Sequence, residues 1–354
     1  MSTSLVHKKI AGSIYGGAIG DAMGGPLEGA TEEFITKYHN GRVKTLEPYH
    51  KPAGGAANIS VEAGTYTDDT RLKNILCQAI IEKKGRVTAE DLAVVWRRDM
   101  KPEQFFITEQ LAYHLSKFLL DGLSRFPYAK DINPAITARD CGRNAFPACD
   151  ANMMISPIGL INAFNPYQAA LDAYEVTLFF QSGYSASSCS PIAAAVAEAM
   201  KPDATWETVV ETAKKYADRF TAIYLNKALQ TADESKHMSE FKPLFYERHL
   251  VHFVDPMEVV PAAFGIFVVC RGKYTDCVIE AANFGRDCDT IAGIVGSIAG
   301  ALRGIDAVPA EWIRTVKAAN PAPDLDKQID GLYESLRNEV SQTRARIEAI
   351  EKNL

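Results

Sequence analysis

An all-α fold is predicted by three features of the sequence. Apolar residues recur at three- and four-residue intervals along most of the chain, the spacing that lines one face of a helix. Period-two alternation is rare, and no β-α-β rhythm appears. Glycines recur at every fourth position in two apolar stretches, Gly12, Gly16, Gly20 and Gly24, then Gly296, Gly300 and Gly304. Each such glycine costs a helix roughly 1 kcal/mol against alanine. Close backbone packing offsets that cost, so the two stretches are expected to lie together as small-x-x-x-small faces. From Gly20 onward a loop is the alternative reading.

The helices follow in chain order. "TAEDLAVVWRRDM" opens with an N-cap at Thr88, and Asp91 completes a Thr-x-x-Asp box. "EQLAYHLSKFLLDGL", "NPYQAALDAYEVTLFF", "SPIAAAVAEAM", "WETVVETAKKYADRF" and "VPAAFGIFVVC" are helical by periodicity or by alanine-rich buried character. Asn165-Pro166 and Ser190-Pro191 read as helix starts, where proline is tolerated. Phe126 to Asp150 is the least patterned stretch and reads as a long surface excursion. The tail, 330–354, is an amphipathic helix carrying Leu332, Leu336, Val340, Ile347 and Ile350. It either folds back on its own domain or pairs with a second copy to form a homo-oligomer. No linker, repeat or low-complexity segment divides the 354 residues, so a single domain spanning 1–354 is expected.

Composition narrows the partners. A hydrophobic fraction of 47% and a charged fraction of 23% are those of a globular protein with a sizeable core. The net charge of −6 and the lack of a basic, aromatic-laced stripe argue against nucleic acid. Seven cysteines without framework spacing point to free thiols in a reducing compartment, hence the cytoplasm. No run reaches the length of a membrane span. Lys8-Lys9 followed by an apolar stretch imitates a secretion signal, but that stretch is glycine-rich and ends in Asp21.

The chemistry concentrates in two blocks, "YTDDTRL" from Tyr66 to Leu72 and "GRDCDTIAG" from Gly285 to Gly293. Each places two acids and a threonine at the head of an apolar run. Helix capping explains one acid per helix, but neither asks for two acids plus a hydroxyl nor rewards them, because adjacent carboxylates repel. Hard divalent cations bind carboxylates and hydroxyls. Asp68, Asp69, Asp287 and Asp289 together carry four negative charges, which two divalent ions would neutralise. Such a pair, ~3.5–4 Å apart, can grip substrate oxygens and turn bridging water into hydroxide. Zinc is not favoured: His249 and His252 share a helical spacing but have no third ligand in view. Cys288, between two of the aspartates, is expected to point away.

Competing motifs fail on context. Asp287-Cys288-Asp289 resembles the Asp-x-Asp-x-Thr nucleophile of haloacid-dehalogenase phosphatases, but Thr290 comes one residue early and no strand precedes it. "GGAIGDAMGG" has neither a Walker lysine nor a strand-led glycine motif.

The combination of "GGAIGDAMGGPLE", "GTYTDDTRL", "VVPAAFGIFVV" and "NFGRDCDTIAGIVGSIAGALRG", in that order over roughly residues 10–305, resembles the ADP-ribosylglycohydrolase family, which includes dinitrogenase reductase-activating glycohydrolase. The resemblance implies a compact all-α fold with two magnesium or manganese ions in a cleft. It puts metal ligands at Thr67, Asp68, Asp69, Asp287, Asp289 and Thr290. Glu28 matches the glutamate beside the metals that controls water or the leaving group. Catalytic roles therefore fall on Glu28, Asp69 and Asp289, with the proton handled by Glu28 or Asp289. Many members carry Asn-Gly-(Ser/Ala)-x-Met-Arg in mid-chain. Here "CDANMMISPIG" puts Cys149, Asp150 and Met154 where Asn, Gly and Arg would stand, with Met153 on the motif's methionine. A histidine after the next helix is replaced by Gln181. Glu28, Asp150, Met153, Met154 and Gln181 are thus the expected substrate-side residues.

The implied activity is hydrolysis of an N- or O-glycosidic bond at the anomeric carbon of a ribosyl group. The substrate would be an ADP-ribosylated protein or a small ribosyl-containing molecule. Loss of the arginine removes a planar anion-binding fork and opens the alternative of free nucleosides or small N-ribosyl compounds. A non-catalytic, structural or ligand-binding role is the remaining reading.

Overall fold

The computed structural model describes residues 4–50, 60–122 and 138–354, and every regular element among them is a helix. Residues 126–137 of the predicted excursion lie outside the described residues. The rest of that stretch holds a 3-10 turn, Cys141–Asn144, and leads into a short helix, Asp150–Met154.

The two glycine series form the centre. Among the described residues, the Leu5–Gly24 and Cys288–Arg303 helices make the most extensive contact between any two elements. They run antiparallel, with Gly12 against Gly300, Gly16 against Gly296, Gly20 against Ala292 and Gly24 against Asp289. A Cβ on Gly12 would lie 2.3 Å from the Gly300 carbonyl oxygen, and one on Gly16 would lie 2.4 Å from that of Gly296. Backbone meets backbone here, and only glycine leaves room. The first helix therefore continues through Gly20 to Gly24, where a 3-10 turn, Gly25–Leu27, delivers Glu28. At the other end of the pair, the buried Lys9 ammonium donates to the carbonyls of Ala199 (2.7 Å), Leu302 (2.9 Å) and Ala301 (3.3 Å), satisfying helix C-termini that would otherwise be bare.

Other helices build outward from this pair. Tyr274–Ala282, Pro256–Val269 and Cys189–Ala199 pack on the Cys288–Arg303 helix. The Asp68–Lys83 helix touches both central helices and also the Asp150–Met154 helix. The N-termini of three helices therefore converge at one end of the core, beside Glu28.

Local signals behaved as their chemistry dictates. Thr88 and Asp91 form the reciprocal capping box, and Asn165 caps the helix that Pro166 begins. Two boundaries differ. The helix expected to start at Ser190-Pro191 begins at Cys189, which keeps the proline within the first turn. "WETVVETAKKYADRF" is not one helix. Trp206–Tyr216 stops because the Asp218 carboxylate accepts from the backbone of Phe220 (2.6 Å) and Thr221 (3.2 Å), starting a new helix, Arg219–Glu234. The C-terminal helix runs Leu325–Glu351. Its first half folds back, burying Ile329, Leu332 and Leu336, while Val340, Ile347 and Ile350 are exposed. All seven cysteines are buried, and none of them forms a disulfide. Among the described residues, no helix is long and apolar enough to cross a membrane.

Candidate functional site

The site is assembled by one acid that the motifs did not single out. Asp21, fully buried in the glycine-rich first helix, accepts from the backbone N–H of Thr67 (Oδ1, 2.9 Å) and of Thr70 (Oδ2, 2.9 Å), and from the Thr70 hydroxyl at 2.5 Å. These bonds fix the turn that begins the Asp68–Lys83 helix. Thr67 caps that helix by accepting from the Asp69 N–H at 3.3 Å, and its hydroxyl donates to Asp69 Oδ2 at 3.2 Å. The buried Lys73 ammonium, which reaches Ser297 Oγ at 3.3 Å, lies near enough to Asp21 and Asp69 to offset part of their charge.

The second acidic segment is held by its own clamp. Gly285 and Arg286 both adopt left-handed backbone, with φ of 82° and 60°. Glu258, almost fully buried, pays for the strain at Arg286 by taking its guanidinium in two bonds, at 2.6 and 3.0 Å. The Arg286 carbonyl in turn accepts from Gly29 N–H at 3.0 Å, which ties the Glu28 turn to the Asp287 segment. As a result, carboxylate oxygens of Glu28, Asp287 and Asp289 lie within 4.8 Å of one another.

These three acids, with Asp68, Asp69 and Thr290, line one cavity of about 270 Å³. Thr67 is buried behind it, its hydroxyl on Asp69. Asp150 and Met153 line it as well. Gln181 does not line the cavity; it donates to Asp150 Oδ1 at 2.7 Å and to the Phe146 carbonyl at 3.2 Å, so it acts on the wall from behind. Met154 does not line the cavity either. It is 0% exposed and packed in the core, not on the cavity. The helix that presents Asp150 and Met153, three residues apart, to the cavity turns the next residue about 100° away.

Several cavity residues had no role assigned to them by the motifs. Cys149 donates its S–H to Asp287 Oδ2 at 2.9 Å. Phe106, Phe146, His252 and Phe253 form an aromatic mouth, with the Phe146 and His252 rings 6.1 Å apart. His252, set aside from sequence as a zinc ligand, is therefore at the site, whereas His249 is bonded to Thr231 Oγ1 at 2.8 Å. Asp21 had a signal that could have found it: it is the only acid in the glycine-rich run. The aromatic mouth had none, since its members come from three separate segments.

Electrostatics make the cluster unstable as a set of bare anions. Burial, then Asp287, Asp68 and Asp21, push the Glu28 carboxyl up to about 8. Burial pushes Asp68 up to about 6 and Asp150 up to about 7. Asp69 and Asp289 are driven well above the carboxylate range, by burial first and then by neighbouring acids. Helix N-termini at Asp68 and Cys288 offset only part of this charge. Two further atoms test whether cations fit. Asp69 Oδ1 and Asp289 Oδ1 are buried without any hydrogen-bond partner, a costly arrangement that a metal ion would satisfy. Buried carboxylates and threonine hydroxyls are the donor set of a hard divalent cation. The residues fit such a group. Cys288 turns away from it, its sulfur 3.4 Å from the Gly24 carbonyl.

Comparison with known proteins identifies the fold and the family. The chain is 21% identical over 332 residues to the ADP-ribosyl-[dinitrogen reductase] glycohydrolase of Rhodospirillum rubrum, covering 94% of this chain and 98% of that one. It is 22% identical over 354 residues to the ADP-ribosylhydrolase ARH3 of Gallus gallus, covering 92% and 93%. The fold matches that of a chain from an ADP-ribosylglycohydrolase-related protein complex, with a TM-score of 0.59 at 18% identity over 94% of this chain and 98% of the other. The sequence profile of one family matches residues 2–345, and by that match the chain belongs to the ADP-ribosylglycohydrolase family.

Proposed function

We propose that the protein is a metal-dependent glycosidic hydrolase that removes ADP-ribose, or a smaller ribosyl group, from a conjugate by water attack at the anomeric carbon. One observation carries this reading: buried carboxylates from three segments converge on a cavity, and two of their oxygens there lack any partner. Thr67, Asp68, Asp69, Asp287, Asp289 and Thr290 would hold two magnesium or manganese ions. When bound, these ions supply Lewis-acid grip on ribose hydroxyls and lower the pKa of water.

The chain's own groups do the rest. Glu28, half-buried beside Asp287 and Asp289, keeps a proton at neutral pH in the absence of a cation. It is placed to pass a proton between water and the departing group. The surrounding carboxylates stabilise oxocarbenium character on the sugar as the aglycone leaves. Phe106, Phe146 and Phe253 shield the reacting carbon from bulk water and offer faces to a planar group. Glu28→Gln should retain cation binding and lose most turnover; equal loss of both would make Glu28 a ligand alone.

The lining also supports a second reading. Acids dominate it, and among the described residues that line the cavity there is no lysine or arginine to meet a diphosphate. This favours a free nucleoside or small ribosyl conjugate over an ADP-ribosyl group. A hydrolysis screen with magnesium or manganese, covering ADP-ribosyl-arginine, ADP-ribosyl-serine peptide, O-acetyl-ADP-ribose and nucleosides, decides between them. Inactivity with all four would favour a ligand-binding role.

A further inference from the structure

Lys73, on the Asp68–Lys83 helix, is only 2% exposed, and the centre of the fold leaves a place for its ammonium. Gly17 lies outside the four-residue glycine series, yet a Cβ on it would stand 2.7 Å from Lys73 Nζ and 2.2 Å from Ser297 Oγ. This glycine makes room for a charge. An ammonium carries three N–H donors. Among the described residues, the one hydrogen bond of this ammonium goes to Ser297 Oγ, at 3.3 Å. So thin a shell is costly for a buried cation unless negative charge stands close by. Asp69 precedes Lys73 by four residues, so both side chains rise from one face of the helix. Asp69 Oδ1, which has no hydrogen-bond partner, lies 3.8 Å from where a Cβ on Gly293 would be, and the Gly293 carbonyl oxygen lies 3.2 Å from where one on Gly17 would be. Gly293 thus stands between the ammonium and the bare carboxylate oxygen. Burial pushes the Lys73 pKa down, and Asp21 and then Asp69 push it back up.

We propose that Lys73 is a built-in cation of the acidic centre, which balances Asp21 and Asp69 when no divalent ion is bound and weakens the hold of Asp69 on such an ion. The proposal rests on the reading of the acidic cluster as a metal site. It adds what the ligand set alone does not give, an inequality between the two cation positions. Charges in a low-dielectric core act on each other far more strongly than in water. A fixed positive charge behind Asp69 therefore opposes an ion on that side more than one beside Asp287 and Asp289, whose carboxylates group with Glu28. The Asp69 position should fill last and empty first as the cation concentration changes. Lys73 does not line the cavity, so it is a positioning residue that acts through Asp69.

Calorimetric titration of the metal-free, full-length protein with manganese tests the assignment. The wild type should bind manganese in two unequal steps. Lys73→Met, close in length and uncharged, should strengthen the weaker step about tenfold or more and change the stronger one by less than about threefold. Lys9→Met is the control, because it removes another buried ammonium of the same helix pair, at the end away from the acids. It should lower the denaturation midpoint and leave both steps as they are. Should Lys73→Met fold poorly without metal, Lys73→Gln and the rise in melting temperature at a fixed manganese concentration give the same answer, the rise being larger than in the wild type. Two equal steps in the wild type, or manganese binding that is unchanged or weaker in both Lys73 variants, overturns the proposal and leaves the metal site standing. A wild type that binds no manganese overturns it together with the metal reading.

Discussion

Glu258 grips Arg286 through both carboxylate oxygens, at 2.6 and 3.0 Å, one residue before Asp287. Glu258 comes from the apolar Pro256–Val269 helix, where an unpaired acid would be costly, and it also accepts from Val251 N–H at 2.8 Å. The pair thus sets the direction in which the Asp287–Thr290 segment enters the cavity.

Glu258→Gln should accordingly destabilise the protein by ~1–3 kcal/mol, the worth of hydrogen bonds to a charged partner. It should also weaken manganese binding tenfold to a hundredfold, as is typical when a group supporting the ligands is altered. Urea denaturation and manganese titration read the two effects. Unchanged manganese affinity would mean that Asp287 is held by other contacts.

The glycine interface makes a sharper demand than helix propensity alone. A Cβ on Gly300 would stand 2.0 Å from the Gly12 carbonyl oxygen, with no flexible side chain to yield. Gly300→Ala should therefore lower stability by ~1–3 kcal/mol, although alanine is the better helix former. Gly300→Leu should cost more. A denaturation midpoint for Gly300→Ala at or above that of the wild type would show that the helices can separate freely.

The pH dependence of the metal-free protein follows from the raised carboxyls. Glu28 moves from its ordinary 4.5 to about 8, Asp150 from 3.8 to about 7 and Asp68 from 3.8 to about 6. Between those limits the folded chain binds more protons than the unfolded one, so stability falls as pH rises. This contribution is complete below about pH 4 and is lost by about pH 8. The melting temperature of the metal-free protein should drop across that range, and saturating magnesium or manganese should flatten the slope. A metal-free protein that gains stability from pH 5 to 8 would show that these carboxyls ionise easily without a cation.

Much of the fold was legible because its strongest constraints are local or periodic. Capping residues Thr88 and Asn165 act within one turn, and the glycine spacing at Gly12–Gly24 and Gly296–Gly304 names both partners of the central pair. The acidic blocks were legible for a similar reason: paired acids at a helix start are costly without a compensating charge. What sequence could not supply were relationships across the chain. Asp21 reaches Thr67 over 46 positions, Cys149 reaches Asp287 over 138, and the aromatic mouth joins three segments with no shared pattern. Met154 shows the complementary case. Alignment to a motif placed it on the substrate side, but a single residue of helical rotation decides which methionine faces the cavity.

That rotation yields the last prediction. An arginine at residue 154 would have to carry its guanidinium into a fully buried position among apolar side chains. Burying an unpaired charge is expensive, so Met154→Arg should destabilise the protein by at least ~3 kcal/mol and leave substrate preference in any surviving fold unchanged. Met153, one residue earlier, lines the cavity beside Asp150. Met153→Arg would add a cation to a cavity that has neither lysine nor arginine among its described lining residues. A charge-assisted hydrogen bond from it to a distal phosphate is worth ~1.5–3 kcal/mol. The ratio of kcat/KM for ADP-ribosyl over simple ribosyl compounds should then rise about tenfold to a hundredfold. The comparison requires both variants to be checked for folding by circular dichroism and for cation binding by manganese titration. If Met154→Arg instead shifts the preference while Met153→Arg does not, the distal part of the substrate approaches from the core side of the helix, and the cavity wall has been assigned to the wrong face.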